Sequence, residues 1–168
     1  MQQPRNAQRR MKLPELTLII GALGSGVLLF LGVAVYLQMS GSLAPPEGVT
    51  ASQDLTPVLL GVAALAAVSG LTVFRLISAK AAEKLAVRRE AALAELTAGE
   101  VPPELAQRTI LGGALSEGVA LLGVVTYLIE GSPLAFVPIG LGLLGVGALL
   151  PSRDRLAEFV SRAGRGPG

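Results

Sequence analysis

Charged residues fall along this chain in blocks. From Leu16 to Met39 there is no Asp, Glu, Lys or Arg, nor from Leu55 to Phe74, nor from Pro133 to Pro151. The stretch Thr109 to Ile129 holds one charge, Glu117. A helix needs about 20 apolar residues to cross the hydrocarbon layer of a bilayer, about 30 Å thick. Three of these stretches reach that length and the fourth nearly does. The pattern predicts an all-α polytopic membrane protein of four transmembrane helices, built as two tandem helical hairpins with a cytoplasmic helical extension of the second helix. The expected segments are a basic cytoplasmic N-terminus over 1–15 and a first hairpin over 16–78. A cytoplasmic helical stalk and loop follow over 79–108, then a second hairpin over 109–150. An interfacial helix and disordered C-terminus complete the chain over 151–168.

Spans one and three are similar in detail. Ala22-Leu23-Gly24-Ser25-Gly26-Val27 aligns with Ala114-Leu115-Ser116-Glu117-Gly118-Val119. After a one-residue gap, Gly32-Val33-Ala34-Val35-Tyr36-Leu37 aligns with Gly123-Val124-Val125-Thr126-Tyr127-Leu128. Pro14-Glu15-Leu16 is echoed by Pro103-Glu104-Leu105. This describes a parallel repeat, so the logic of inverted-repeat transporters does not apply.

Charge then sets the orientation. The basic residues are Arg5, Arg9, Arg10 and Lys12 before the first span, Arg75, Lys80, Lys84, Arg88, Arg89 and Arg108 between the second and third, and Arg153, Arg155, Arg162 and Arg165 after the fourth. Segments 40–54 and 130–132 hold only Glu47, Asp54 and Glu130. Under the positive-inside rule the N-terminus, central segment and C-terminus are cytoplasmic, in a multi-pass protein of the cell membrane. Tyr36 and Tyr127 fall at the outer ends of spans one and three, where amphipathic rings anchor at headgroup level. The first apolar run is longer than the 7–15 residues of a signal-peptide core, so it is expected to be a span.

Small residues recur within the spans: Gly61, Ala63, Ala67 and Gly70 in the second, Gly112, Ser116 and Ala120 in the third, Gly140, Gly142 and Gly145 in the fourth. Lipid offers little hydrophobic drive for helix association, which depends on the close approach that small residues permit. These positions are the expected helix-packing surfaces, within one chain or between copies. Outside the spans, 79–96 is composed mostly of strong helix formers with no proline to break it from the second span. It reads as a stalk ended by Gly99 and Pro102-Pro103. In the C-terminal segment Leu156, Phe159 and Val160 are expected to face lipid; 164–168 is expected to fray.

Composition narrows the chemistry. Cysteine, histidine and tryptophan are absent, which removes the residues that supply most zinc, copper and iron ligands. No metal, cofactor or catalytic constellation is expected. The pI of about 9.4 comes from tethers beside spans and fits topology better than nucleic-acid binding. Gly21-x2-Gly24-x-Gly26 lies in an apolar span with no following lysine, so it is not a phosphate loop.

Glu117 is the residue with chemistry. A carboxylate placed in a span costs about 2.5–3.5 kcal/mol on insertion scales, so such residues are neutralised, paired or set against a wet crevice. Glu117 lies more than about 10 Å along its span at 1.5 Å per residue, and no basic residue lies at similar depth. Ser25, Ser69 and Thr72 are the candidate hydrogen-bond partners, and Glu117, Ser25 and Ser69 the candidate ion-binding set. The run Glu117-Gly-Val-Ala-Leu-Leu-Gly123-Val-Val, centred on 114–128, resembles the carboxylate helix of the rotor proteolipid (c subunit) of rotary ATP synthases. There a mid-membrane acid is followed by small and aliphatic residues with a glycine six positions on. The resemblance implies an ion-carrying role for Glu117. The chain departs from that family in its long charged segment 79–107 and in Ser25 at the repeat position of the first span.

The expected function is therefore a non-enzymatic, proteolipid-like membrane subunit that forms or supports an oligomeric complex. The alternative is ion or proton translocation through Glu117. The expected partners are the lipid bilayer, further copies or other membrane proteins, and a cytoplasmic protein at 79–98; nucleic acid is not expected.

Overall fold

A computed structural model describes residues 11–41 and 56–163. The connection between the first two helices, the tail beyond Ala163 and the basic residues Arg5, Arg9, Arg10 and Arg165 lie outside the described residues, as do Glu47 and Asp54. The chain is all-helical: α1 (Leu13–Met39), α2 (Thr56–Val87), α3 (Arg89–Thr97), α4 (Pro103–Glu130), a 3-10 turn (Pro133–Ala135) leading into α5 (Phe136–Ala148), and α6 (Arg153–Ala163).

Three of these, α1, α2 and α4, are long and apolar enough to cross a membrane. A fourth is added if Pro133–Ala148 and α6, which meet at an 80° bend, count as one span. The helix ends follow local chemistry. Proline starts the first turn of α1 and α4, where its missing N–H costs nothing. Glu15 accepts a hydrogen bond from the Lys12 N–H at 3.1 Å. Gly131 closes α4 in the left-handed conformation at φ 63°, the usual glycine stop.

The architecture is a hub. α1, α2 and α5 each pack along α4. α1 runs parallel to it, with Ile20 against Gly113, Gly26 against Glu117 and Gln38 against Tyr127. α2 and α5 run the other way, with Gly70 against Leu115, Phe74 against Gly112, Ile139 against Gly123 and Leu149 against Gly112. The expected first hairpin does not pair, because α1 and α2 share no substantial contact. Each instead uses α4, whose glycines admit both neighbours. A fourth side of α4, between α1 and α2, is open: Gln107, Leu111, Ala114, Gly118, Val125 and Ile129 are exposed there.

The described basic residues gather at one end, and there the uninterrupted stalk is corrected. α2 stops at Val87, Arg88 leaves helical geometry (φ −120°, ψ 30°), and α3 packs against α6. Leu16, Leu85, Ala92, Leu96, Val101, Leu105, Leu156 and Val160 form one buried cluster. Burying these apolar side chains favours the bend over helix continuation; a fully buried leucine or valine contributes about 1.5–3 kcal/mol. The face of α6 expected to meet lipid is covered by protein, with Leu156 at 5% and Val160 at 0% exposure and Phe159 half-buried. Arg88 ties the turn by bonding Glu95 at 2.5 Å and lying 3.6 Å from Glu104. Residues 11–13 bridge to 99–101, with Val101 donating to the Met11 carbonyl at 2.9 Å and Leu13 to that of Gly99 at 3.3 Å.

Candidate functional site

α4 holds Glu117 on the side that faces α1. A Cβ built on Gly26 would lie 3.6 Å from the Glu117 Oε1, so the carboxyl rests over a bare patch of α1 backbone. Glu117 is half-buried and makes no hydrogen bond or ion pair among the described residues. It borders the open side of α4, one residue from Gly118, where a Cβ would meet nothing within 4 Å.

The structure does not gather the expected ion-binding set. The Ser25 hydroxyl donates to the Gly21 carbonyl of its own helix at 2.9 Å. Thr72 does the same to Val68 at 3.0 Å. Both satisfy their hydroxyls locally, as serine and threonine in apolar helices commonly do. Ser69 is exposed on α2, which has no substantial contact with α1. No group of three or more His, Cys, Asp or Glu residues suited to a metal ion occurs among the described residues.

The helix-packing positions divide cleanly. A Cβ on Gly142 would fall 2.5 Å from the Ser116 carbonyl oxygen and 2.6 Å from the Ala120 nitrogen. One on Gly145 would fall 2.5 Å from the Ser116 Oγ, and one on Gly112 2.6 Å from the Phe74 ring. Gly70 lies in ordinary contact range of Leu115, Ala63 is buried, and Ala67 lines a groove between α2 and α5. Gly61 and Gly140 do not pack: a Cβ on either meets nothing within 4 Å. They sit on the outer sides of α2 and α5, away from α4. Tyr36 is 71% exposed at the far end of α1. Tyr127 instead turns inward, half-buried, with its ring 5.0 Å from that of Phe136. Gln38 Nε2 donates to the carbonyls of Tyr127 and Leu128 at 3.0 and 2.8 Å.

Protein-family models, curated proteins and solved structures give no match to this chain.

Two features escaped the sequence. One is the groove between α2 and α5, floored by α4 and formed by two cavities of about 310 and 280 Å³ that share Ala67, Val119 and Leu141. The other is Arg108, whose guanidinium lies 4.9 Å from the Phe74 ring centre and 4.3 Å from that of Phe159. Its Nε donates to the Ser78 Oγ at 2.9 Å. Sequence alone counted Arg108 among the topological charges, because its two aromatic neighbours come from distant helices.

Proposed function

We propose that this chain is a non-enzymatic integral membrane subunit with four spans, α1, α2, α4 and the segment from Pro133 to Leu150, and that it assembles with further copies. The termini and the α3–α6 cap lie on the cytoplasmic side, following the basic charge. Within this picture the repeat joins two hairpins by sequence, while α4 provides the packing hub. The observation that carries the assembly reading is the set of glycines left bare on the outside. Gly21, Gly32, Gly61, Gly118, Gly140 and Gly147 have nothing within 4 Å of a Cβ. A helical glycine costs about 1 kcal/mol relative to alanine, and in lipid its return is close contact with another helix.

The chain has no cysteine, so single cysteines can be placed at Gly61, Gly118 and Gly140 without a background. Oxidation in native membranes is expected to give crosslinked dimers from at least one position, matched by native mass spectrometry in nanodiscs. Monomers alone, by both methods, refute the assembly.

The unpartnered Glu117 supports a second reading, ion or proton translocation in a ring of copies. None of its candidate hydroxyl partners bonds to it, so the carboxyl is left for an ion, a proton or a neighbouring copy. Its register with Gly123 is that of the rotor proteolipids. Glu117→Gln is expected to abolish proton or cation flux in proteoliposomes of the assembled protein. Flux unchanged by that substitution ends this reading.

A further inference from the structure

We propose that the α2–α5 groove, with Arg108 and Arg155 at its basic end, binds an anionic phospholipid: the phosphate against the guanidinium groups and an acyl chain along the groove. This rests on the membrane-spanning reading. Arg108 differs from the paired arginines of the same end. Arg88 meets Glu95 and Glu104, and Arg162 pairs with Glu158. Among the described residues Arg108 has no carboxylate partner, and its Nη groups make no hydrogen bond. The two aromatic rings and Ser78 hold its plane fixed while leaving one charged edge unused. Arginine in that state is suited to a phosphate, which it can grip with two donors.

The charge and the groove are continuous. Phe74 lines the groove and also stacks on Arg108. Ala148 lines the groove, and its carbonyl accepts a hydrogen bond from the Arg155 Nη1 at 3.1 Å. A second guanidinium is thereby set at the same mouth, also without a carboxylate partner among the described residues. From Phe74 to Leu60 the groove follows α2 for about 21 Å at 1.5 Å per residue, against about 15 Å for half a hydrocarbon layer. A headgroup at Arg108 thus has a full leaflet of apolar channel beneath it.

Charge decides between a lipid and an apolar partner helix: two guanidinium groups without a carboxylate partner among the described residues stand where the apolar groove reaches the basic end. The walls at the basic half are Ala67, Gly70, Gly142 and Gly145, with no polar group that a tail would leave unsatisfied apart from Ser116.

The test is native mass spectrometry of the full chain in mild detergent, titrated with phosphatidylglycerol and with phosphatidylcholine of the same acyl chains. The wild type is expected to retain phosphatidylglycerol in preference. Arg108→Gln and Arg155→Gln should each lower that preference about fivefold, the weight of one basic residue at an anionic surface. Arg162→Gln, already neutralised by Glu158, should leave it unchanged. Ala67→Leu, which fills the groove, should lower retention of both lipids. Equal retention of the two lipids by the wild type overturns the proposal, and so does a preference that survives both arginine substitutions. Arg155 is exposed, so its variant tests the site even if Arg108→Gln misfolds. Carbonate washing of native membranes separates the two levels: release of the chain defeats the membrane reading itself. A chain that stays in the membrane but shows no lipid preference defeats only the lipid site.

Discussion

Gly142→Ala adds one methyl group at one of the tightest helix contacts among the described residues. Its Cβ would lie 2.5 Å from the Ser116 carbonyl oxygen, 2.6 Å from the Ala120 nitrogen and 2.7 Å from the Ala120 Cβ. Carbon atoms rest about 3.5–4.0 Å apart, so α4 and α5 must separate by about 1 Å. Two of the three opposing atoms are backbone, which cannot rotate away. Such overpacking costs about 1–3 kcal/mol, and a gap of 0.5–1 Å along the rest of the contact forfeits roughly a quarter to a half of each dispersion well. Alanine has its own advantage in a helix, about 1 kcal/mol, so the raw effect mixes two terms. Gly140 provides the control, because it lies in the same helix and a Cβ there meets nothing within 4 Å. Gly140→Ala should therefore be neutral or stabilising, and Gly142→Ala less stable than it by about 1–3 kcal/mol. Thermal unfolding followed by circular dichroism in mild detergent reads the difference, at roughly 2–4 °C per kcal/mol for a chain of this size. If Gly142→Ala melts at or above Gly140→Ala, α4 and α5 do not meet through these glycines.

Three further outcomes are expected. Val160→Ala or Leu156→Ala should cost about 1–4 kcal/mol, as buried truncations do, whereas Leu144→Ala on the outer side of α5 should change the same melting curve little. Removing residues 152–168 uncovers the cluster beneath α6, so limited trypsin should cut at Arg88 or Arg89 in the shortened chain and not in the full one; equal cutting refutes the docking of α3 on α6. Gly26→Ser places a hydroxyl beside the Glu117 carboxyl, and replacing a helical glycine by serine also gains about 0.5 kcal/mol from helix propensity alone. The stabilisation should therefore be about 1 kcal/mol larger with Glu117 present than in a Glu117→Leu background, and equal gains in the two backgrounds would show that the carboxyl does not lie over Gly26.

The apolar helices were readable because their stretches with no charge, or in the third span one, are unambiguous: the runs from Leu16, Thr56 and Thr109 lie within α1, α2 and α4. What the sequence left hidden was partner choice. The repeat between spans one and three suggested paired hairpins, yet similarity between two helices says nothing about which helix each one touches. The segment 79–96 read as one helix because no glycine or proline interrupts it. The bend at Arg88 is a tertiary effect, driven by Ala92 and Leu96 meeting Leu156 and Val160. The clue was one strongly amphipathic segment, 153–163, beside an alanine- and leucine-bearing segment, 89–97, at the same end of the bundle. Glu117 was visible as the lone charge in its span, but its neighbour Gly26 carries no chemical signal of its own. Arg108 was hidden for the opposite reason, since it was one of many basic residues and only the fold distinguishes it.

The distribution of contacts bears on where movement or assembly can occur. At the basic end, α1, α2, α3, α4 and α6 all contribute to one buried cluster. Toward the other end the described ties are narrower: a cluster of Val27, Ala34, Ala120, Val124 and Ile139 that joins α1, α4 and α5, and the Gln38 side chain bonded to the end of α4. α2 contributes no residue to that second cluster. Its upper half is held to α4 through Ala63 and Ala67, beside the groove. α1 and α2 are therefore joined indirectly, by the packing of each along α4 and by the α3–α6 cap. The open side of α4, with Ala114 and Gly118, lies in that same gap, and Glu117 stands at its edge. Under the proposed function, a helix from another copy entering there would meet small residues and a carboxyl with no partner among the described residues, so assembly and ion binding would share this one surface.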